Sequence, residues 1–179
     1  KKLTAFLEQT AVEQHSGKYL EGDARFANCR ILGTKKRGKA ITAYTWTFYQ
    51  EYSYQNGKLE SVSGSHIPTI ITVTKENGEY QLVEYWMPRD GAYYAEDIKA
   101  HFPFHLWLRA LDSERYADRQ KKACRELAEE YFKENPEKMP EFVEVADFPM
   151  GHTKFDIINF AAFHILFAKF VYGIKNENG

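Results

Sequence analysis

The familiar signs of a specific function are mostly missing from this sequence of 179 residues. Its 25 acidic and 24 basic side chains nearly cancel, so the chain has no overall charge that would attract nucleic acid. It also has no run of the roughly 18 consecutive apolar residues that a membrane-spanning helix requires. These two absences predict a protein that binds no nucleic acid and has no transmembrane span.

Signatures of catalysis and of metal binding are absent as well. The sequence contains no His-Glu-x-x-His motif, no phosphate-binding glycine-rich loop, no Gly-x-Ser-x-Gly motif and no Cys-x-x-Cys pair. His101 and His105 have the spacing of two ligands on one helical face, but Pro103 between them interrupts a helical turn. His15 is isolated and is interpreted as structural. We therefore expect no catalysis, no cofactor and no bound metal.

Cysteine is scarce, with only Cys29 and Cys124 in the chain. Two cysteines permit one disulfide in an oxidising compartment or two buried thiols, and their spacing does not decide between these. Because cysteine is among the residues most often buried, two buried thiols are favoured.

Aromatic side chains, by contrast, are plentiful at 16% of the residues, which is typical of half-buried sheet surfaces. Residues 40–54 alternate with the period of a β-strand, and Asn-Gly pairs at 56–57 and 77–78 predict tight hairpin turns. Residues 3–15 have helical periodicity, and the basic cluster at 35–39 is interpreted as a solvated turn. The prediction is an α+β fold: an N-terminal helix packed on a curved antiparallel meander sheet, cystatin-like or cone-shaped, followed by helices.

The second half of the chain is predicted to be helical. A long helix should follow Asp112 and end before Pro136. Its expected buried stripe comprises Tyr116, Gln120, Ala123, Leu127 and Tyr131. Residues 1–134 should form the helix-plus-sheet domain, and residues 135–179 a linker and an apolar helical extension packed on that domain. Because the apolar segment 155–172 must be covered, a homodimer through this segment is an alternative.

Two segments are candidates for a binding surface. His66 lies in the sequence Ser-Gly-Ser-His-Ile-Pro at 63–68, where glycine and proline predict a bulge or kink in the sheet. Its side chain could bond the loop backbone or face the mouth of a concave sheet. The aromatic and charged corner at 84–94 either locks the last strand to the helices or forms a ligand platform. The predicted binding residues are His66, Glu84, Trp86, Arg89, Asp90, Tyr93 and Tyr94.

These two segments, followed by Ile98 and Phe102-Pro103, resemble a domain of Gram-positive, mainly clostridial, bacteria. That domain occurs at the extracytoplasmic C-terminus of receptor peptidases related to the BlaR/MecR antibiotic sensors, and in small secreted or lipoprotein relatives. The resemblance covers roughly residues 3–132 and implies an extracytoplasmic or cell-envelope location. The Ser-x-x-Lys motif of the β-lactam-acylating sensors is absent, so antibiotic sensing is not implied.

Three functional hypotheses follow. The leading one is an extracytoplasmic binding or sensory module whose partner is a small molecule, a peptide or an envelope component. The second is a small cone-pocket enzyme resembling ketosteroid isomerase, with a buried carboxylate or histidine as general base. A closed pocket that holds Glu84, Asp90 or His66 would favour this enzyme. The third is a dimeric structural or interaction domain.

The chain begins Lys1-Lys2 without an initiator methionine or signal peptide, which indicates a mature or trimmed form.

Overall fold

The computed structural model describes residues 1–18, 20–55 and 57–139. The elements are α1 (Lys2–His15), β1 (Ala24–Arg37), β2 (Ala40–Gln55), β3 (Lys58–Glu76), β4 (Glu79–Trp86), α2 (Tyr94–His101), α3 (Trp107–Ala110) and α4 (Glu114–Glu134). Short 3-10 turns occupy Gly91–Tyr93, Phe104–Leu106 and Pro136–Lys138. This confirms the predicted α+β class. The expected apolar extension, including 155–172, lies outside the described residues.

The four strands form one antiparallel sheet in the order β1-β2-β3-β4. Asn77 and Gly78 both have positive φ, 52° and 89°, as a tight primed hairpin turn requires. The strand β1 continues to Arg37 and pairs there with Ala40, so the basic cluster at 35–39 is mostly strand rather than turn. The meander therefore has longer hairpins than the sequence pattern predicts.

Helices cover the sheet on both faces, which gives three layers. Alternate residues of β2 point to opposite faces. Ala43 and Tyr49 belong to a core cluster with residues of α1, whereas Phe48 belongs to a cluster with residues of α4. Trp46, on the same face as Phe48, packs with residues of α2 and α3. The middle of β2 is therefore buried on both sides.

The bulge predicted at 64–68 does not occur, because β3 runs through these residues as one strand and pairs with β2 there without a shift of register. The bulge between β2 and β3 lies earlier, at Val62. Pro68 is tolerated because β4 pairs with β3 only from Ile70 to Glu76, so the proline lies beyond the reach of that strand.

The buried face of α4 also differs from the predicted stripe. The helix buries Gln120, Cys124, Ala128 and Phe132, whereas Leu127 is 44% exposed. Small side chains at 124 and 128 let the helix approach Phe48 and Tyr52, which already fill that side of the sheet. Within the described residues, no helix is long and apolar enough to cross a membrane.

Candidate functional site

An open pocket lies at the outer edge of β1, between α1 on one face of the sheet and α4 on the other. Its volume is about 490 Å³, the size of a site for a small organic molecule. It is lined by Thr4 and Glu8 of α1, by Asn28, Cys29 and Arg30 of β1, and by Arg115, Tyr116, Arg119, Gln120 and Ala123 of α4. We call it the edge pocket.

Glu8 closes one side of the edge pocket. Its Oε1 accepts hydrogen bonds from the Asn28 side-chain amide and from the Cys29 backbone N–H, both at 3.1 Å. An edge strand presents unpaired backbone groups, and this carboxylate satisfies one of them. Burial raises the pKa of Glu8, and the bond from Cys29 opposes that rise. The carboxylate is therefore fixed in place by the strand that it covers.

Three guanidinium groups supply the charge of the edge pocket. The Cζ atoms of Arg30 and Arg115 each lie 5.8 Å from the centre of the Tyr116 ring, in the range of cation–π contacts. Arg115 also lies 4.0 Å from Asp112. Among residues 1–18, 20–55 and 57–139, neither Arg30 nor Arg119 has an ion-pair partner. The pocket thus has three cations for one carboxylate among its lining residues.

Gln120 joins the edge pocket to the middle of the sheet. Its amide Nε2 donates to the backbone oxygens of Asn28 at 2.7 Å and Trp46 at 2.9 Å. These two bonds fix the amide orientation, so Oε1 accepts from His66 Nε2 at 3.1 Å. The His66 ring also packs on Trp46, with 4.4 Å between ring centres, and burial lowers its pKa. The predicted site residue His66 therefore supports the pocket from behind rather than lining it.

The corner at 84–94 begins at the end of β4, the strand at the opposite edge of the sheet, and continues to the first residue of α2. Arg89 binds Asp97 through both guanidinium and backbone N–H groups, at 2.7 to 2.9 Å. These bonds from Arg89 lower the pKa of Asp97 to about 2. The Arg89 guanidinium also lies 4.2 Å from the centre of the Tyr93 ring. The arginine thus joins the end of β4 to α2, and its partner is Asp97 rather than the exposed Asp90.

The remaining residues of this corner pack or face solvent. Trp86 stacks on His101, with 4.4 Å between ring centres. Tyr94 is half-buried, and burial raises its pKa to about 12. Glu84 is exposed. Trp86 pairs with Ile70, which is four residues from His66 along β3, roughly 13 Å at the usual rise per residue. The structure therefore separates the two predicted segments.

A buried polar network on the α1 side of the sheet was not predicted. His15 is fully buried, and its Nε2 lies 2.9 Å from the Tyr85 hydroxyl and its Nδ1 3.2 Å from the Ser65 hydroxyl. The ring stacks on Tyr49 at 5.2 Å. Burial, with a smaller contribution from Lys18, lowers the pKa of His15 to about 4. The histidine that looks isolated in sequence is thus a neutral structural group.

Glu51 extends this network and is also fully buried. Its Oε1 accepts from the Tyr49 hydroxyl at 2.5 Å, and its Oε2 accepts from the Gly22 backbone N–H at 2.6 Å. Alternation along β2 places residue 51 on the α1 face, but it does not reveal that a carboxylate there is buried. Both carboxylate oxygens have hydrogen-bond donors, as a buried carboxylate requires.

Both cysteines are buried free thiols, Cys29 beside the edge pocket and Cys124 on the inner side of α4. Burial raises the pKa of each thiol to about 12.

The described part of the chain contains no cluster of three or more His, Cys, Asp or Glu side chains that would hold a metal ion. Comparison of the sequence and the structure with protein-family models, curated proteins and solved structures found no match.

Proposed function

We propose that this protein is a non-catalytic binding module whose edge pocket takes a small ligand that carries carboxylate or phosphate groups. The observation that carries this proposal is that Arg30 and Arg119 have no ion-pair partner within the described residues, in a pocket whose lining has one carboxylate. Guanidinium groups bind such oxyanions through two parallel hydrogen bonds, which are stronger than neutral ones.

The surroundings of the arginines favour binding over chemistry. The Tyr116 ring lies within cation–π distance of two of the guanidinium groups. Gln120 anchors α4 to two strands, so the pocket is largely formed before a ligand arrives. Cys29 is the cysteine that lines the edge pocket. Its thiol has a pKa of about 12, which keeps it protonated and unreactive at neutral pH.

The resemblance of segments 63–68 and 84–94 to a Gram-positive extracytoplasmic domain supports placing this binding module in the cell envelope. A helix packed on one face of an antiparallel meander also suits the cystatin-like relationship, with the helices on the second face as an addition. A sensory role would follow if ligand binding in the edge pocket changed how this domain contacts a partner.

The enzyme hypothesis has less support. Glu84 and Asp90 are exposed, so neither supplies the buried general base that this hypothesis requires. His66 packs against aromatic rings and bonds Gln120. The dimer hypothesis concerns residues 155–172, which lie outside the described residues. It stays a prediction that sedimentation at low protein concentration can test.

Calorimetric titration with citrate and with inorganic phosphate tests the proposal. We expect citrate to bind wild-type protein and Arg30→Gln or Arg119→Gln to weaken binding about tenfold each, or about 1.4 kcal/mol. Lys121→Gln is the matched control, since it removes one exposed charge from α4 outside the pocket. The proposal is wrong if neither anion binds, or if the control weakens binding as much as the pocket variants.

A further inference from the structure

Two exposed apolar side chains lie between α2 and α4, beside a half-buried tryptophan that packs partly on the core. Phe104 is 79% exposed and Leu108 is 85% exposed. The ring of Trp107 lies edge-to-face against Phe104 at 5.0 Å, and its indole N–H donates to the Phe102 oxygen at 2.8 Å. We call Phe104, Trp107 and Leu108 the apolar ridge. Apolar groups this exposed and this close together mark an interaction surface.

The ridge is exposed because the opposite side of the same segment already packs on the sheet. Phe102, Leu106 and Ala110 are buried and recur at four-residue spacing. Phe104 and Leu108 have the same spacing on the outward side. Because the inward side of this segment packs on the sheet, its outward apolar side is left exposed and is available to contact a partner.

A strongly basic hairpin flanks the ridge. The tip of the β1–β2 hairpin carries Lys35, Lys36, Arg37 and Lys39, all exposed and with no acidic residue among them. Within the described residues none of the four has an ion-pair partner. We call these four residues the basic hairpin.

Contacts between the two elements fix their proximity. A Cβ atom on Gly33 would lie 3.1 Å from the Leu106 side chain, and Arg109 Nη1 donates to the Leu32 oxygen at 3.1 Å. Lys35 lies on the same face of β1 as Gly33, two residues or roughly 7 Å further along the strand. The basic hairpin therefore begins within a side chain's length of the segment that carries the ridge.

We propose that the apolar ridge and the basic hairpin together form a docking surface for an anionic lipid bilayer. Phe104 and Leu108 enter the headgroup region, Trp107 lies at its boundary, and the hairpin cations contact lipid phosphates. Charge complementarity favours a bilayer, since four cations without ion-pair partners in the described part of the chain, beside exposed apolar groups, match a surface with phosphates above hydrocarbon. Phe104 and Leu108 are almost fully exposed, whereas binding of a peptide segment usually requires a groove.

Co-sedimentation of the full chain with vesicles tests this surface. One set of vesicles contains phosphatidylcholine mixed with phosphatidylglycerol, and the other contains phosphatidylcholine alone. We expect binding to the mixed vesicles only, and release as salt screens the hairpin charges. The double variant Phe104→Ser with Leu108→Ser should lower the partition coefficient at least about tenfold. Lys35→Gln with Arg37→Gln, two residues on the ridge side of β1, should remove most of the preference for the anionic lipid.

Two control variants distinguish binding through this surface from nonspecific binding of the protein to vesicles. Leu127→Ser removes an exposed apolar side chain from α4, and Lys121→Gln with Lys122→Gln removes two charges from the same helix. Neither should alter the partition coefficient. Residues 155–172 are also apolar and could themselves bind vesicles. The test therefore depends on whether the ridge variants weaken binding, and vesicle binding by the wild-type protein is not sufficient. Binding that survives Phe104→Ser with Leu108→Ser overturns the proposal. Absence of vesicle binding, together with self-association that Leu108→Ser abolishes, overturns it too and assigns the ridge to a protein partner.

Discussion

Replacing Gln120 with methionine should destabilise the fold by an amount that its three hydrogen bonds predict. The amide donates to the backbone oxygens of Asn28 and Trp46 and accepts from His66. Methionine has a similar volume, so packing is largely retained while all three bonds are lost. At about 1 kcal/mol for each bond, the free energy of unfolding should fall by about 3 kcal/mol.

Urea denaturation measures this loss. With a slope of about 2 kcal/mol/M, the unfolding midpoint of Gln120→Met should fall by about 1.5 M. Lys121→Met is the matched control, because residue 121 is exposed on the same helix, and its midpoint should stay within roughly 0.3 M of wild type. A Gln120→Met midpoint as close to wild type as the control's would refute the assignment of Gln120 as the link between α4 and the sheet.

Gln120→Met should also change the pKa of His66. The hydrogen bond to Gln120 raises the pKa of His66 and so opposes the effect of burial. Losing that bond should lower the pKa of His66 further, which an NMR titration of the ring protons follows. An unchanged His66 titration in Gln120→Met would show that the two side chains are not coupled.

Three further predictions concern the core. Because the folded state keeps His15 neutral with a pKa of about 4, while the unfolded chain protonates it near 6.5, stability should fall by about 3 kcal/mol as pH drops from 6.5 to 4. His15→Gln should flatten that part of a urea-midpoint profile, and an identical slope in wild type and variant would contradict this. Gly64→Ala should cost about 1–3 kcal/mol, since its Cβ would lie 2.5 Å from the Tyr49 backbone oxygen, and an unchanged melting temperature would argue against that contact. Cys29 and Cys124 should react with a thiol reagent only after urea is added, because both are buried and protonated at neutral pH; rapid labelling of native protein would show otherwise.

Local sequence signals predicted most of the sheet. The alternation along β2 and the Asn-Gly pair at 77–78 depend on backbone geometry within a few residues, so they can be recognised without knowledge of the fold. The bulge predicted at 64–68 was wrong because the cost of Pro68 depends on how far β4 extends along β3. That length is a property of the assembled sheet.

Helix orientation was harder to predict, because several stripes on α4 have helical spacing. Hydrophobicity favoured a stripe through Leu127, whereas the helix buries Cys124 and Ala128. The aromatic residues of the facing sheet leave room for small side chains there, and that constraint is not local to the helix.

The edge pocket could not be predicted from the sequence either, because it too depends on contacts that are not local in sequence. Glu8, Arg30 and Arg119 come from three elements that are distant in sequence, and only the three-layer packing brings them to one edge of the sheet. At the other edge, the sequence allowed Arg89 either to pair with Asp90 within the turn or to lie against the neighbouring helix. The structure has the second arrangement, in which Arg89 binds Asp97 of α2.

The most direct test of the central claim is an NMR titration that follows the side-chain Nε–H signals of the arginines while citrate is added. The edge pocket predicts saturable shifts at Arg30, Arg115 and Arg119, and no comparable shift at Arg125, which pairs with Glu129 on the outer side of α4. Shifts that are absent, or that are spread equally over all the arginines, would contradict an anion site at the edge of β1.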